Sequence, residues 1–206
     1  MTAETSSTPT DVATVSGAQR RSRPTTDLAL IASFAALICI CSYIGAIPVG
    51  GTGVPITLQT FAVMLTGCLL GPVRGFLAVA LYLLLGIIGL PVFAEHSSGI
   101  GVFFRESGGY LLSFPFAAAL AGFLVAYVAR GARTRALVVF ACSITASFLV
   151  IHPMGIVGMK LYFDVSFTQA LQYDIPFWLG DLVKTTFVAL IAAEVHRAFP
   201  KLLQRS

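Results

Sequence analysis

The sequence predicts an all-α membrane protein of six transmembrane helices with both termini in the cytoplasm. Three observations carry this. Of the 206 residues, 57% are AVILMFWYC and only 11% are Asp, Glu, Lys or Arg, with a mean hydropathy of +0.89. A soluble domain carries about a quarter charged residues, and a water-facing fold of this size cannot hide so much apolar surface. Second, the apolar residues form six continuous runs rather than the alternating ~10-residue segments of a membrane barrel. Third, when the basic residues are placed on alternate sides of those runs, ten fall on the side of the two termini and two on the other. The positive-inside rule puts the richer side in the cytoplasm.

Residues 1–24 are rich in Ser, Thr and Ala without apolar period and read as a disordered cytoplasmic tail. Arg20, Arg21 and Arg23 precede the first run, which is too long for a signal peptide and lacks a clean small-x-small cleavage site; the helix is therefore retained. The runs are Leu28–Ile47, Ile56–Leu70, Gly75–Phe93, Leu111–Ala129, Ala136–Gly158 and Ile175–Ala193. A bilayer core takes about 20 helical residues, so the second run spans only if flanking residues join it or it sits inside the bundle. The transmembrane domain covers residues 25–198, and residues 199–206 form a second cytoplasmic tail. The inner side holds Arg20, Arg21, Arg23, Arg74, Arg130, Arg133, Arg135, Arg197, Lys201 and Arg205; the outer side holds Arg105 and Lys160. Gly71-Pro72-Val73-Arg74 is a near-minimal inner turn, whereas the outer connections (Pro48–Pro55, Ala94–Tyr110 and Met159–Asp174) are long and irregular, as a mouth or lid requires.

Asp181 and Lys184 are the strongest chemical signal. They share one face of the last helix at i and i+3, and a charge at bilayer depth costs about 2.5–3.5 kcal/mol on insertion scales. A structural ion pair and a polar ligand site both account for them. With the helix entering from outside near Pro176, they would lie roughly 7 and 12 Å below its start. Gln59, at the outer start of the second helix, is a ligand contact or an interhelical hydrogen bond. Tyr110 follows Gly108-Gly109, whose glycines allow close approach or positive φ; it is either a site residue or part of an interfacial aromatic belt. His152-Pro153 should kink the fifth helix, with the imidazole a ligand donor, a proton relay or a hydrogen-bonded kink residue. Ala29, Ala32, Ser33 and Ala36 make small-xxx-small spacings on the first helix, suited to close packing inside the bundle or against a partner. Cys39, Cys41, Cys68 and Cys142 lie in apolar runs as packing residues. There is no G-x-x-x-x-G-K-[ST], GxSxG or HExxH, and His96 and His196 fall on opposite sides of the membrane. Neither an enzyme, a cofactor, a metal centre nor a nucleic-acid partner is expected.

Five phrases then resemble the BioY family, the biotin-specific S components of energy-coupling-factor (ECF) transporters. They are Val54-Pro55-Ile56-Thr57-Leu58-Gln59-Thr60-Phe61, Leu70-Gly71-Pro72-Val73-Arg74-Gly75, Gly89-Leu90-Pro91-Val92-Phe93, Gly108-Gly109-Tyr110-Leu111-Leu112 and Pro176-Phe177-Trp178-Leu179-Gly180-Asp181-Leu182-Val183-Lys184. They occur in the family's order across residues 54–184. The resemblance implies an S-component-like bundle in a bacterial-type cytoplasmic membrane, surrounded by lipid. It implies a subunit that captures biotin outside and works with a transmembrane coupling subunit and two ATPase subunits of an ECF module. By position it implies that Asp181 and Lys184 are the family's polar pair, Gln59 its second-helix amide, Tyr110 its loop aromatic and Phe93 a wall residue. Arg105-Glu106-Ser107 departs from a Gly-Pro-Thr-like turn, which makes Arg105 a candidate carboxylate anchor. The alternatives are an S component for another vitamin, a small proton-coupled secondary transporter using Asp181, Lys184 and His152, and a non-transporting membrane scaffold.

Overall fold

The computed structural model describes residues 24–44, 46–48, 53–200 and 202–203. The first tail up to Arg23, half of the second tail, and the basic residues Arg20, Arg21, Arg23, Lys201 and Arg205 lie outside them. Six helical rods build the bundle. They are α1 (Pro24–Tyr43), α2 (Gln59–Leu70), α3 (Pro72–Ile87), α4 (Gly108–Phe123, extended by a π turn Leu124–Val128), α5 and α6 (Ala136–Ala146 and His152–Phe163, one rod joined by a π turn Ser147–Ile151) and α7 (Phe167–Ala198). Four rods are long and apolar enough to cross a membrane: Pro24–Tyr43, Gly108–Val128, Ala136–Phe163 and Phe167–Ala198. The other two are shorter. At 1.5 Å per residue, α2 is only about 18 Å long, against a hydrocarbon core of about 30 Å. It is buried along nearly its whole length, packed among α1, α3, α4 and α7. The second predicted helix thus sits inside the bundle.

Helix ends differ from the apolar runs for identifiable reasons. The first helix stops at Tyr43, not Ile47, and the second begins at Gln59, not Ile56. The intervening residues form a short antiparallel hairpin, β1 (Ile47–Pro48) with β2 (Pro55–Ile56), pairing Ile47 with Ile56. A proline disfavours helical backbone in the residue before it, and here Ile47 and Val54 precede prolines. The third helix ends at Ile87 rather than Phe93, because Gly89 takes a φ of 109° and Pro91 cannot continue a helix. Two 3₁₀ turns, Ala94–His96 and Ile100–Phe104, follow.

The largest difference is at α7, which starts at Phe167, eight residues before the apolar run. Ser166 caps it: its hydroxyl accepts the Gln169 backbone N–H at 3.2 Å, and the Gln169 side chain accepts the Ser166 backbone N–H, a capping box. The first turns are polar, so an apolar-run criterion does not register them. Pro176 is accommodated inside the helix, and Asp174 is a helical residue, not a loop residue. Asp181 therefore lies roughly 21 Å along α7 from its start, not the 7 Å expected. Pro153 is likewise not a simple kink. It occupies the first turn of α6, immediately after the π turn, where its missing N–H costs little.

The end where α1 begins and α7 finishes is closed. α2 and α3 are joined by Gly71 alone, whose φ of 82° suits glycine. Arg74, expected as a loop cation, is buried instead. Its guanidinium pairs with Asp27 on α1 at 3.2 Å and donates to the carbonyls of Leu70 (3.1 Å) and Leu202 (2.9 Å). His196, also buried, bonds the Cys68 carbonyl at 3.0 Å. Cys68 is buried, while Cys39, Cys41 and Cys142 are partly so; all four are free thiols. Outward faces carry large apolar side chains such as Leu84, Phe116, Leu149, Leu161 and Phe187, the surface that a lipid solvent allows and water does not.

Candidate solute-binding site

The opposite end of the bundle is open. A cavity lies there beneath the β1–β2 hairpin and the two 3₁₀ turns, with about 80 Å³ of open volume. Gln59, Phe93, Arg105, Tyr110, His152, Asp181 and Lys184 all border it. The seven residues singled out in the sequence thus come from five separate segments to one place.

Asp181 and Lys184 are neither turned to lipid nor bonded only to each other. The ammonium sits 2.6 Å from Asp181 Oδ1. It donates to the Thr60 hydroxyl at 2.6 Å and to the Thr57 carbonyl at 3.4 Å, while Thr60 in turn donates to Asp181 at 3.3 Å. The pair therefore bolts α7 to the start of α2. Ser147, in the π turn, donates to the other Asp181 oxygen at 3.2 Å. A buried ion pair is tolerable when its remaining hydrogen-bonding capacity is met, and Thr57, Thr60 and Ser147 meet it while leaving one side of the pair on the cavity.

Gln59 fulfils its interhelical reading and still borders the cavity. Its amide donates to the Tyr82 hydroxyl at 2.5 Å, which donates to Ser42 at 3.3 Å, linking α2, α3 and α1. Tyr110 does not belong to an interfacial belt. It is buried, its hydroxyl donates to Asp174 at 2.6 Å, and its ring lies 5.8 Å from that of Phe177. Phe93 is a buried wall, edge-on to Tyr82 and Phe103. Each of these two rings is seated on a glycine. A Cβ at Gly86 would fall inside the Phe93 ring, and one at Gly155 inside the Tyr110 ring. Gly108 and Gly109 serve close approach rather than positive φ: Gly109 packs on the Met154 carbonyl and Gly158 of α6. Arg105 is exposed at the rim. Glu95, also at the rim, and its neighbour His96 adopt left-handed backbone (φ 56° and 58°), a conformation that costs non-glycine residues about 1–2 kcal/mol.

His152 is buried beneath the cavity, between two carboxylates. Its Nδ1 lies 2.8 Å from Asp174 Oδ2, and its Nε2 3.4 Å from Asp181 Oδ2. The apolar-run reading missed Asp174, Thr60, Ser147 and the two seat glycines. The Ser166–Gln169 capping box was the available signal for Asp174, because a helix started there places residue 174 two turns before residue 181 on the same face. The small residues of α1 point away from the bundle: Ala29, Ala32, Ser33 and Ala36 are all exposed. Among the described residues they therefore do not pack inside the bundle.

Comparison with known proteins agrees with this architecture. The chain is 36% identical over 189 residues to a protein named biotin transporter BioY from Rhodobacter capsulatus, covering 86% of this chain and 96% of that one. It is 31% identical over 185 residues to a biotin transporter BioY from Rhizobium etli, covering 88% and 99% respectively. The crystal structure of an S-component for biotin from an ECF-type ABC transporter superposes with a TM-score of 0.80 at 26% identity, covering 84% of this chain and 92% of that one. The BioY family pattern itself matches residues 10–201. With agreement in fold and over nearly the full length of its relatives, the chain belongs to the BioY family.

Proposed function

We propose that this chain is the substrate-binding membrane subunit of an ECF-type transporter and that it captures biotin in the cavity above Asp181 and Lys184. One observation carries the reading: seven residues chosen from the sequence converge on one cavity, with a buried acid–amine pair at its floor and aromatic rings at its wall. The chemistry matches the solute. A carboxylate accepts N–H groups such as those of a ureido ring, and an ammonium donates to a carbonyl or carboxylate. Phe93, Tyr110 and Phe177 offer apolar surface to a bicyclic ring. Arg105, at the rim, is placed to meet a carboxylate at the end of a flexible chain.

The open volume is well below the several hundred Å³ of a typical small-molecule site. A bicyclic solute therefore enters only as the rim yields, and the rim is the irregular part of the fold. On this reading the cavity faces outward and both termini are cytoplasmic, a placement that the ten-to-two distribution of basic residues supports. The tails flanking residues 25–198 are cytoplasmic too, and the protein is a multi-pass component of the cell membrane. The energy comes from a transmembrane coupling subunit and two ATPase subunits. The exposed Ala29, Ala32, Ser33 and Ala36 face is where the coupling subunit packs, since small residues let helices approach closely in lipid.

Equilibrium binding of radiolabelled biotin to the purified protein tests this. Asp181→Asn and Lys184→Met should each weaken binding by about a hundredfold, the scale for losing a buried charge-assisted contact. Wild-type affinity in both variants removes the assignment.

A further inference from the structure

The polar face of α7 extends beyond the pair just described. Asp174, Trp178 and Asp181 are spaced i, i+4 and i+7, one stripe on one face. Asp174 is fully buried, and a buried carboxylate must have its lone pairs filled. Three groups converge on it: the Tyr110 hydroxyl at 2.6 Å on Oδ1, the Trp178 indole N–H at 2.7 Å on Oδ2, and His152 Nδ1 at 2.8 Å from Oδ2. An indole nitrogen can only donate, so Asp174 is the acceptor in this knot and His152 Nδ1 carries a proton toward it. The ring that results is held on several sides. Phe148 packs on it at 4.5 Å and Trp178 at 6.2 Å between centroids.

Held this way, the imidazole turns Nε2 toward Asp181 Oδ2, 3.4 Å away, and both residues line the cavity. His152 is 3% exposed, and its Nε2 is the buried side-chain nitrogen or oxygen that makes no hydrogen bond among the described residues. A buried nitrogen without a formed hydrogen bond, its ring locked from behind and only the Asp181 carboxylate at ion-pair distance, keeps hydrogen-bonding capacity for a solute in the cavity that both residues line. We infer that Asp174 is a positioning residue for the binding site: it fixes His152 through Nδ1 so that Nε2 meets the polar ring of the bound solute beside Asp181. The inference rests on the biotin reading for the identity of that solute. It adds a second polar contact and a support that acts through it.

The chain has three histidines, so ¹⁵N-histidine labelling of the full-length protein in detergent micelles, with His152→Gln for assignment, resolves the ring directly. The expected spectrum of the ligand-free protein has His152 Nδ1 protonated, and added biotin should move Nε2 far more than Nδ1. Asp174→Asn should weaken biotin binding at least tenfold, the size of a lost hydrogen bond to a charged group. It should also shift the ring proton away from Nδ1. In a His152→Gln background it should weaken binding by less than threefold more, because the two residues act as one unit. A merely structural Asp174 would leave the ring signals unchanged and its effect additive. An unprotonated Nδ1 in the ligand-free protein, or an Nε2 that biotin does not move, overturns the inference even if Asp174→Asn fails to fold. If biotin binds and Lys184→Met abolishes binding while Nε2 is unmoved, the inference falls and the biotin reading stands. If the wild-type protein does not bind biotin, the solute contact falls together with that reading.

Discussion

The two ends of this bundle solve opposite problems with the same amino acids. At the terminal end, one glycine joins α2 to α3, and a single buried arginine ties α1, α3 and the C-terminal residues together. Each of the three guanidinium nitrogens in that knot donates to the protein itself. At the cavity end, the connections are a two-residue-stranded hairpin and two 3₁₀ turns, and the buried polar groups border open space. Buried charge at one end is spent on closure and at the other on a vacancy lined with hydrogen-bonding atoms. The lesson is that an ionisable residue inside a membrane bundle is not by itself a site; what distinguishes Asp181 from Arg74 is the cavity alongside.

The comparison breaks most sharply at Gly155. A valine there cannot coexist with the Tyr110 ring, whose atoms occupy the position of the new Cβ. Displacing Tyr110 removes a donor from Asp174 and overpacks the α4–α6 contact. We expect about 3 kcal/mol of destabilisation, read as thermal unfolding in detergent, with biotin affinity lowered more than tenfold. Gly101→Ala is the control at the same end: nothing lies within 4 Å of its Cβ position, so its effect should stay within about 0.5 kcal/mol.

Arg74→Met sharpens the contrast from the other end. Methionine keeps the apolar stem but leaves Asp27 without its cation and the Leu202 carbonyl without its donor. Removing one partner of a fully buried pair costs about 3–5 kcal/mol. Asp27 is a quarter exposed, so water recovers part of that, and about 2 kcal/mol is expected. Biotin affinity should remain within twofold, since this knot is at the far end of α3 from Phe93. A large affinity loss would mean that the two ends are coupled.

How much of this was legible beforehand follows the same division. The closed end was readable: a Gly-Pro pair after an apolar run gives a tight turn, and the short second helix had to gain flanking residues or sit inside the bundle, of which the second holds. Asp181, Lys184 and Gln59 were readable because polarity inside an apolar run is conspicuous. Asp174 was not, since hydropathy placed it in a loop; only the Ser166–Gln169 cap reveals that the helix begins earlier. Gly86 and Gly155 were not, because a glycine that seats an aromatic ring looks like any other until the ring's position is known. The role of Arg74 was misread because a cation beside a turn is ordinarily solvated, and nothing local indicates that α1 and the C-terminus close over it.

The smallest expected effect tests the rim. Glu95 is held in left-handed backbone without a hydrogen bond from its side chain among the described residues. Glu95→Gly removes a conformational cost of about 1–2 kcal/mol and adds about 0.4–1 kcal/mol of unfolded-state entropy. The difference favours the variant by about 0–1.6 kcal/mol, so its unfolding temperature should rise slightly. His96 is the wrong place for this experiment, because its ring packs edge-on against Tyr43 at 4.1 Å and truncation would lose that contact as well. If the rim must yield for biotin to enter, a glycine at residue 95 should also quicken biotin association in stopped-flow measurements. An unchanged association rate together with a higher unfolding temperature would place the yielding segment elsewhere on the rim, in the hairpin or the Ile100–Phe104 turn.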